Sequence, residues 1–191
     1  SNVRTQTYVL LRDNADVQAL FEPLPEFVDT GTNPVFILND AVFNDPKYND
    51  RLIESLKLMP TISLTVDPDE FLGEEGIYDK NFRLSGRQSE RAVSVEYFTA
   101  DPNEDGFQIN AGMRISGNLA RNFSKKPLRL FFREEYGEGR LRFPLFEGSP
   151  VTSFNQLVLR SGGVDAFSGS TDEKSMIREP LQFTANLEMG Q

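Results

Sequence analysis

Two alternating segments separated by a polar turn constrain the fold of this chain more than any other feature. In residues 91–98 the apolar Val93, Val95 and Tyr97 alternate with polar side chains, and residues 107–115 have the same period of two. Side chains at this period lie on one face of a β-strand. The intervening turn contains Asp, Pro, Asn and Gly, so we expect an antiparallel hairpin with one apolar face.

Further strands are predicted on both sides of this hairpin. Residues 61–66, 128–133 and 156–160 are rich in apolar and β-branched side chains and are bounded by turn residues. No stretch between residues 60 and 160 has the composition of a linker, so one cooperative unit is expected there. These patterns predict an α+β fold, mainly an antiparallel sheet of at least four strands with flanking helices.

Helical periodicity lies outside the predicted sheet. One helix is predicted to begin at Pro46, with Asp45 as its N-cap, and to run to about Met59. Its apolar face, which carries Tyr48, is expected to dock on the rest of the domain. A second helix is predicted over residues 172–189.

Two regions are expected along the chain. Residues 1–45 contain a short apolar strand at residues 7–12 and several prolines but little sustained periodicity, which indicates an extended arm. Residues 46–191 are predicted to form the domain itself. No apolar run approaches the roughly 20 residues needed to cross a bilayer, so no membrane span is expected.

Composition excludes several classes of function. The chain of 191 residues contains no Cys, His or Trp, which removes disulfides, Cys/His zinc sites and His-based catalytic triads. Its formal net charge of -9 argues against nucleic acid as a partner, because phosphate backbones require clustered Lys and Arg. Chemistry in this chain therefore depends on carboxylates, hydroxyls, Lys and Arg.

The connection between two predicted strands is the most informative segment. It combines a glycine with five cations in an acidic protein, namely Arg114, Arg121, Lys125, Lys126 and Arg129. Backbone amides and such cations can cradle phosphate, since both supply hydrogen-bond donors without titrating. The alternative is a solvated basic loop that pairs with Glu134 and Glu135, and the chemistry alone favours this alternative.

Two other polar segments have simpler interpretations. Arg87, Glu90 and Arg91 precede the hairpin and are expected to protect a sheet edge from aggregation, with a ligand-facing role as the alternative. The turn at residues 101–106 resembles the first half of a calcium loop. Its twelfth position is Gly112 instead of Glu, so a polar hairpin turn is predicted there and no metal.

Short segments in a fixed order also carry a family resemblance. They are VFNDPKY (42–48), PTISL (60–64), GIY (76–78), GR and ER (86–91), SVE (94–96), GFQINAG (106–112), RLFFR (129–133), EYG (135–137), FPLF (143–146), LVLR (157–160) and MG (189–190). In this order they resemble the CotH (spore-coat protein H) kinase family, especially large bacterial members that carry the domain in extracellular multidomain proteins.

The resemblance implies the fold of the amino-terminal lobe of a divergent protein kinase, with ATP and Mg²⁺ as cofactors and phosphorylation of Ser or Thr as the activity. It assigns Lys125 to the ATP phosphates, with Arg121 in support and the Gly117 loop as cover. Asn118 and Arg129 complete the expected cofactor-binding set. The family's metal-binding and catalytic Asp residues lie downstream of the final Met-Gly. The resemblance therefore predicts no catalytic residue in this chain, which alone is expected to be inactive.

The resemblance further implies an extracellular or cell-surface location, with a protein substrate or neighbouring domains of the parent protein as partners. The alternative function is a non-catalytic structural or interaction domain of a bacterial surface or secreted protein. This alternative is supported by Ser116-Gly117, which stands where the family often has Arg-Gly. A carbohydrate-binding β module is less favoured, because without Trp only Tyr and Phe could stack on sugars.

Overall fold

The computed structural model describes residues 45–101, 103–123 and 125–161, together with residues 184, 185 and 189. Within this part of the chain the main element is a five-stranded antiparallel sheet. The predicted α+β class with a mainly antiparallel sheet is thereby confirmed. Apart from these few described positions, the predicted arm at residues 1–45 and the predicted helix at residues 172–189 lie outside the described residues.

Short helices and strands alternate with loops between residues 45 and 161. In chain order the elements are α1 (Pro46–Lys57), β1 (Thr61–Val66), α2 (Pro68–Phe71), β2 (Arg91–Phe98), β3 (Phe107–Ile115), β4 (Leu128–Phe131), β5 (Leu141–Arg142), β6 (Ser153–Phe154) and β7 (Gln156–Leu159). Two 3₁₀ turns, Arg87–Ser89 and Leu119–Asn122, precede β2 and β4.

The large sheet has the strand order β1-β2-β3-β4-β7, and β5 pairs with β6 in a separate ribbon. Strands β2 and β3 form the predicted hairpin, in which Val95 lies opposite Ile109. β4 is shorter than predicted and ends at Phe131. The reason is a turn that begins at Arg133, whose carbonyl accepts a hydrogen bond from Tyr136 N at 3.0 Å.

The two faces of the sheet differ in chemistry. One face is the core, formed by buried apolar side chains at Val93, Val95, Ile109, Ala111, Met113 and Leu130. Phe132 and Leu141 complete this core from outside the sheet. The opposite face carries the intervening residues, among them Ser94, Asn110, Arg114 and Arg129, and is called the polar face below. Strict alternation separates the two sets because the strand period is two.

The hairpin turn before β3 is closed by its own polar groups. The Asp101 carboxylate accepts hydrogen bonds from the backbone and side-chain amides of Asn103, at 2.8 and 2.9 Å. These bonds lower the pKa of Asp101. The Thr99 hydroxyl donates to the carbonyl oxygens of Asp101 and Glu104. Carboxylate and hydroxyl thus serve the turn itself, as the prediction of a polar hairpin turn requires.

Helix α1 begins as predicted. The Asp45 side chain accepts a hydrogen bond from Lys47 N at 2.8 Å, and Pro46 occupies the first turn, where its missing N–H costs nothing. The expected docking of this helix is not seen where it can be checked. Tyr48, Ser55 and Met59 belong to the predicted docking face, and all three are exposed.

Candidate anion-binding site

The basic loop, defined as residues 116–127, connects β3 to β4. Its two ends are joined by a hydrogen bond from Ser116 N to the Pro127 carbonyl at 2.8 Å. Gly117 follows with φ +81, a backbone conformation that glycine adopts at little cost. The chain then turns through the 3₁₀ segment Leu119–Asn122.

Arg121 fixes the loop against an earlier part of the chain. Its Nε donates to the Gly117 carbonyl at 2.5 Å, and its Nη1 donates to the carbonyls of Phe82 at 3.1 Å and Leu84 at 2.7 Å. These acceptors are neutral, so they orient the guanidinium without cancelling its charge. Arg121 is therefore a preorganised cation that links the basic loop to residues 82–84.

A cavity of about 460 Å³ opens between these two segments. It is lined by Arg83, Ser85, Gly117, Asn118, Arg121 and Asn122, none of which is acidic. Arg83 Nη2 donates to Asn122 Oδ1 at 3.3 Å, so a hydrogen bond links the two walls of the cavity. Two guanidinium groups with amide and hydroxyl donors are the groups that bind an oxyanion in proteins.

The five residues predicted to bind a cofactor are divided by the fold. Gly117, Asn118 and Arg121 line the loop cavity. Lys125 is exposed and lies outside the set of lining residues. Arg129 lies on β4, opposite Arg114 of β3, and belongs to the polar face of the sheet. The structure therefore brings three of the predicted residues together and separates two.

Lys126, another cation of the basic loop, contacts a backbone carbonyl and two aromatic rings. Its Nζ donates to the Phe123 carbonyl at 2.9 Å and lies over the rings of Phe82 at 4.7 Å and Tyr78 at 5.3 Å. Partial burial lowers the pKa of Lys126, and the charge of Asp79 acts in the opposite direction. These contacts hold Lys126 against Tyr78 and Phe82, which lie in the segment that also supplies Arg83.

A second group of charges, missed by the sequence analysis, surrounds Glu90. The Glu90 side chain is only 1% exposed and accepts a hydrogen bond from Arg133 Nε at 3.0 Å. Arg114 Nε lies 3.4 Å from the other carboxylate oxygen, and Arg87 Nε lies 4.0 Å from the oxygen that accepts from Arg133. Three arginines, Arg87, Arg114 and Arg133, lie around this carboxylate, and together with Arg129, the cross-strand partner of Arg114, they are called the arginine cluster.

The sheet-edge interpretation is therefore wrong for Glu90. Glu90 is buried because it lies across Gly112, where any side chain would collide with its carboxylate and with Tyr136. Arg91 donates to the carbonyls of Gln88 and Glu75. The available signal was the polar alternation of β3 and β4, which places two arginines on the face that Glu90 covers.

The structure also bears on the alternative in which the basic loop is solvated and pairs with Glu134 and Glu135. Glu135, proposed there as a counter-ion, forms its ion pair with Arg87 of the arginine cluster. Tyr136 next to it is a further member of this region, and burial, followed by the neighbouring Glu90 and Glu135, raises its pKa to about 12. The ion pair of Glu135 is thus part of the arginine cluster.

The remaining observations concern metals, membranes and relatives. Among the described residues no group of acidic side chains is arranged to hold a metal ion. Within the same part of the chain no helix is long and apolar enough to cross a membrane. Comparison with protein-family models, curated proteins and solved structures finds no match. The resemblance to the CotH kinases therefore stays a prediction from the sequence.

Proposed function

We propose that this chain supplies the phosphate-binding part of a CotH-type, ATP-dependent kinase domain. The observation that carries the proposal is the cavity formed by the basic loop, where Arg83 and Arg121 converge with Asn118 beside the positive-φ turn at Gly117. In a chain of net charge -9, an anion is repelled in general and requires several convergent donors to bind. The ordered segments that resemble the family provide independent support.

The cations in and beside the cavity have distinct tasks in this proposal. Three backbone carbonyls occupy the Nε and Nη1 donors of Arg121, so its remaining Nη2 group is oriented before the ligand arrives and little side-chain entropy is lost on binding. Arg83 is more exposed and supplies a second cation from the opposite wall. Lys125, exposed at the end of the loop, would reach the phosphate tail from solvent.

The ligand is the phosphate tail of ATP with Mg²⁺. Phosphoryl transfer also needs that metal to be held by carboxylates, so the proposal for this chain concerns nucleotide binding. Phosphorylation of Ser or Thr in a protein substrate, at the cell surface or outside the cell, is proposed for the intact protein.

Calorimetric titration of the whole chain with Mg-ATP, Mg-ADP and inorganic phosphate tests the proposal. We expect weak binding that Arg83→Gln reduces about fivefold, since a charge-assisted contact to phosphate contributes on the order of 1 kcal/mol when partly exposed. Arg142→Gln, an exposed position on β5, removes the same charge elsewhere and is the matched control. No heat at millimolar ligand, or equal losses in both variants, would contradict the proposal.

A second candidate is a non-catalytic interaction domain, and exposed apolar side chains favour it. Leu119, on the basic loop, is 77% exposed, and Leu84 and Phe123 nearby are also exposed. An apolar rim beside a cationic cavity is a surface that suits a protein partner. If none of the three phosphate ligands binds, this candidate is the one that remains.

A further inference from the structure

We propose that the polar face of the sheet carries a second oxyanion site, where Arg114 and Arg129 together bind a carboxylate or a phosphate group. This site goes beyond the proposed nucleotide function, because it lies on the strands β3 and β4 instead of the loop between them. Neither arginine is among the residues that line the loop cavity.

Among the described residues, the charges of this region do not balance. Four guanidinium groups meet two carboxylates, the arginines being Arg87, Arg114, Arg129 and Arg133 and the acids Glu90 and Glu135. The excess is positive, although the chain as a whole is acidic. A local excess of guanidinium groups in an acidic protein attracts an anion from solvent.

The contacts of these arginines show which guanidinium donor lacks a hydrogen-bond acceptor. Arg114 and Arg129 are direct cross-strand partners, an arrangement in which like charges destabilise a sheet. Glu90 accepts from Arg133 and lies near Arg114. Arg129 Nε, by contrast, is buried and has no hydrogen-bond acceptor among the described residues. A buried charged donor without an acceptor is costly, so an added oxyanion would stabilise this position most.

An aromatic ring orients two of the guanidinium groups, and the positive charges of the cluster repel one another. The Arg114 guanidinium lies 3.9 Å from the centre of the Phe131 ring, and that of Arg133 lies 4.9 Å from it, so one ring supports both. Burial lowers the pKa of Arg114, Glu90 opposes this, and the charges of Arg133, Arg129 and Arg87 lower it further. An anion between Arg114 and Arg129 would relieve this repulsion.

Solvent reaches the two arginine side chains, as a binding role requires, although the Arg129 Nε atom itself is buried. The Arg114 side chain is 21% exposed, and Arg129 is half-buried on the neighbouring strand. Planar guanidinium groups bind carboxylate and phosphate oxygens through paired N–H donors. Both chemistries suit two arginines side by side, and the experiment separates them.

The test is an NMR titration of the whole chain, following the arginine Nε–Hε resonances during addition of inorganic phosphate or of acetate. We expect saturable shifts at Arg129 and Arg114, with Arg129→Gln weakening binding at Arg114 about tenfold. Arg142→Gln should leave the titration unchanged. Arg83→Gln, which alters the loop cavity, should also leave it unchanged, so this test is independent of the nucleotide titration.

Each result assigns or removes the site. Shifts with phosphate alone identify a phosphate ligand, shifts with acetate alone identify a carboxylate, and shifts with both identify a general oxyanion site. Arg129→Lys keeps the charge without the paired donors, so it should bind with intermediate affinity while the resonances of β3 stay in place. No shift at Arg129 with either anion, or equal shifts at arginines across the surface, would overturn the proposal.

Discussion

At the scale of single residues, Gly112 and Glu90 depend on each other. A methyl group at residue 112 would lie 2.6 Å from Glu90 Cγ and from Tyr136 Cε2, so either the buried carboxylate or the ring would have to move. We expect Gly112→Ala to lower the free energy of unfolding by about 1–3 kcal/mol, the usual cost of overpacking a closed site. Urea denaturation followed by circular dichroism measures this loss.

Gly137 offers the matched control for this substitution. A methyl group there would meet its nearest neighbour, Asn110 Cβ, at 3.6 Å, which is an ordinary van der Waals contact. Gly137→Ala should therefore change the free energy of unfolding by less than about 0.5 kcal/mol. Equal losses in the two variants would show that Glu90 does not depend on the space above Gly112.

Tyr136 gives the polar face a dependence on pH. Burial first, and then the carboxylates of Glu90 and Glu135, raise its pKa to about 12 in the folded protein. The phenol of an unfolded chain titrates near ~10. The folded state therefore retains this proton over a range in which the unfolded state loses it. Its stabilising effect is complete below pH ~10 and is lost as the pH rises through about 12.

An alkaline titration of tyrosinate absorbance measures this shift. Tyr136 should ionise late, and Tyr136→Phe should remove this late component. Tyr48→Phe, which removes an exposed tyrosine, should leave the late component in place. Circular dichroism during the titration establishes that the sheet is intact. A folded protein without a late component would contradict the assignment.

At the scale of elements, local patterns predicted the strands and long-range contacts were missed. The alternation in β2 and β3 determines which side chains share a face, and the short turn between them determines the pairing, so the hairpin followed from the sequence. The Asp45-Pro46 start of α1 is local in the same way. The early end of β4 depends on a turn at Arg133 that the apolar pattern does not reveal.

The candidate site was only partly predictable for the same reason. The glycine and cations of the basic loop are visible in the sequence, and three of the expected residues do line one cavity. Arg83, the other cation of that cavity, comes from a segment far away in the chain. Glu90 and Arg133 are also far apart in sequence and meet only after β2, β3 and β4 have paired. No local pattern encodes such a pairing.

At the scale of the whole molecule, net charge and local charge have opposite signs. The chain carries a formal net charge of -9, yet Arg83 and Arg121 meet at the loop cavity and Arg114 and Arg129 meet on the polar face. General self-repulsion destabilises a compact acidic protein, and dissolved salt screens it at distances beyond about 10 Å at 0.1 M. Any salt should therefore raise the melting temperature at first.

Sulfate should raise it further than chloride at equal ionic strength, because a ligand that binds the folded state alone stabilises it by mass action. Sulfate is also excluded from protein surfaces, and this effect acts on every variant alike. The double variant Arg83→Gln/Arg129→Gln retains the exclusion effect and loses a cation from each proposed site. Thermal melts in sodium sulfate and sodium chloride measure how much further sulfate raises the melting temperature. This excess should be smaller for the double variant than for the unsubstituted chain. An equal excess would mean that sulfate acts only through exclusion, and that it binds neither at the loop cavity nor at Arg114 and Arg129.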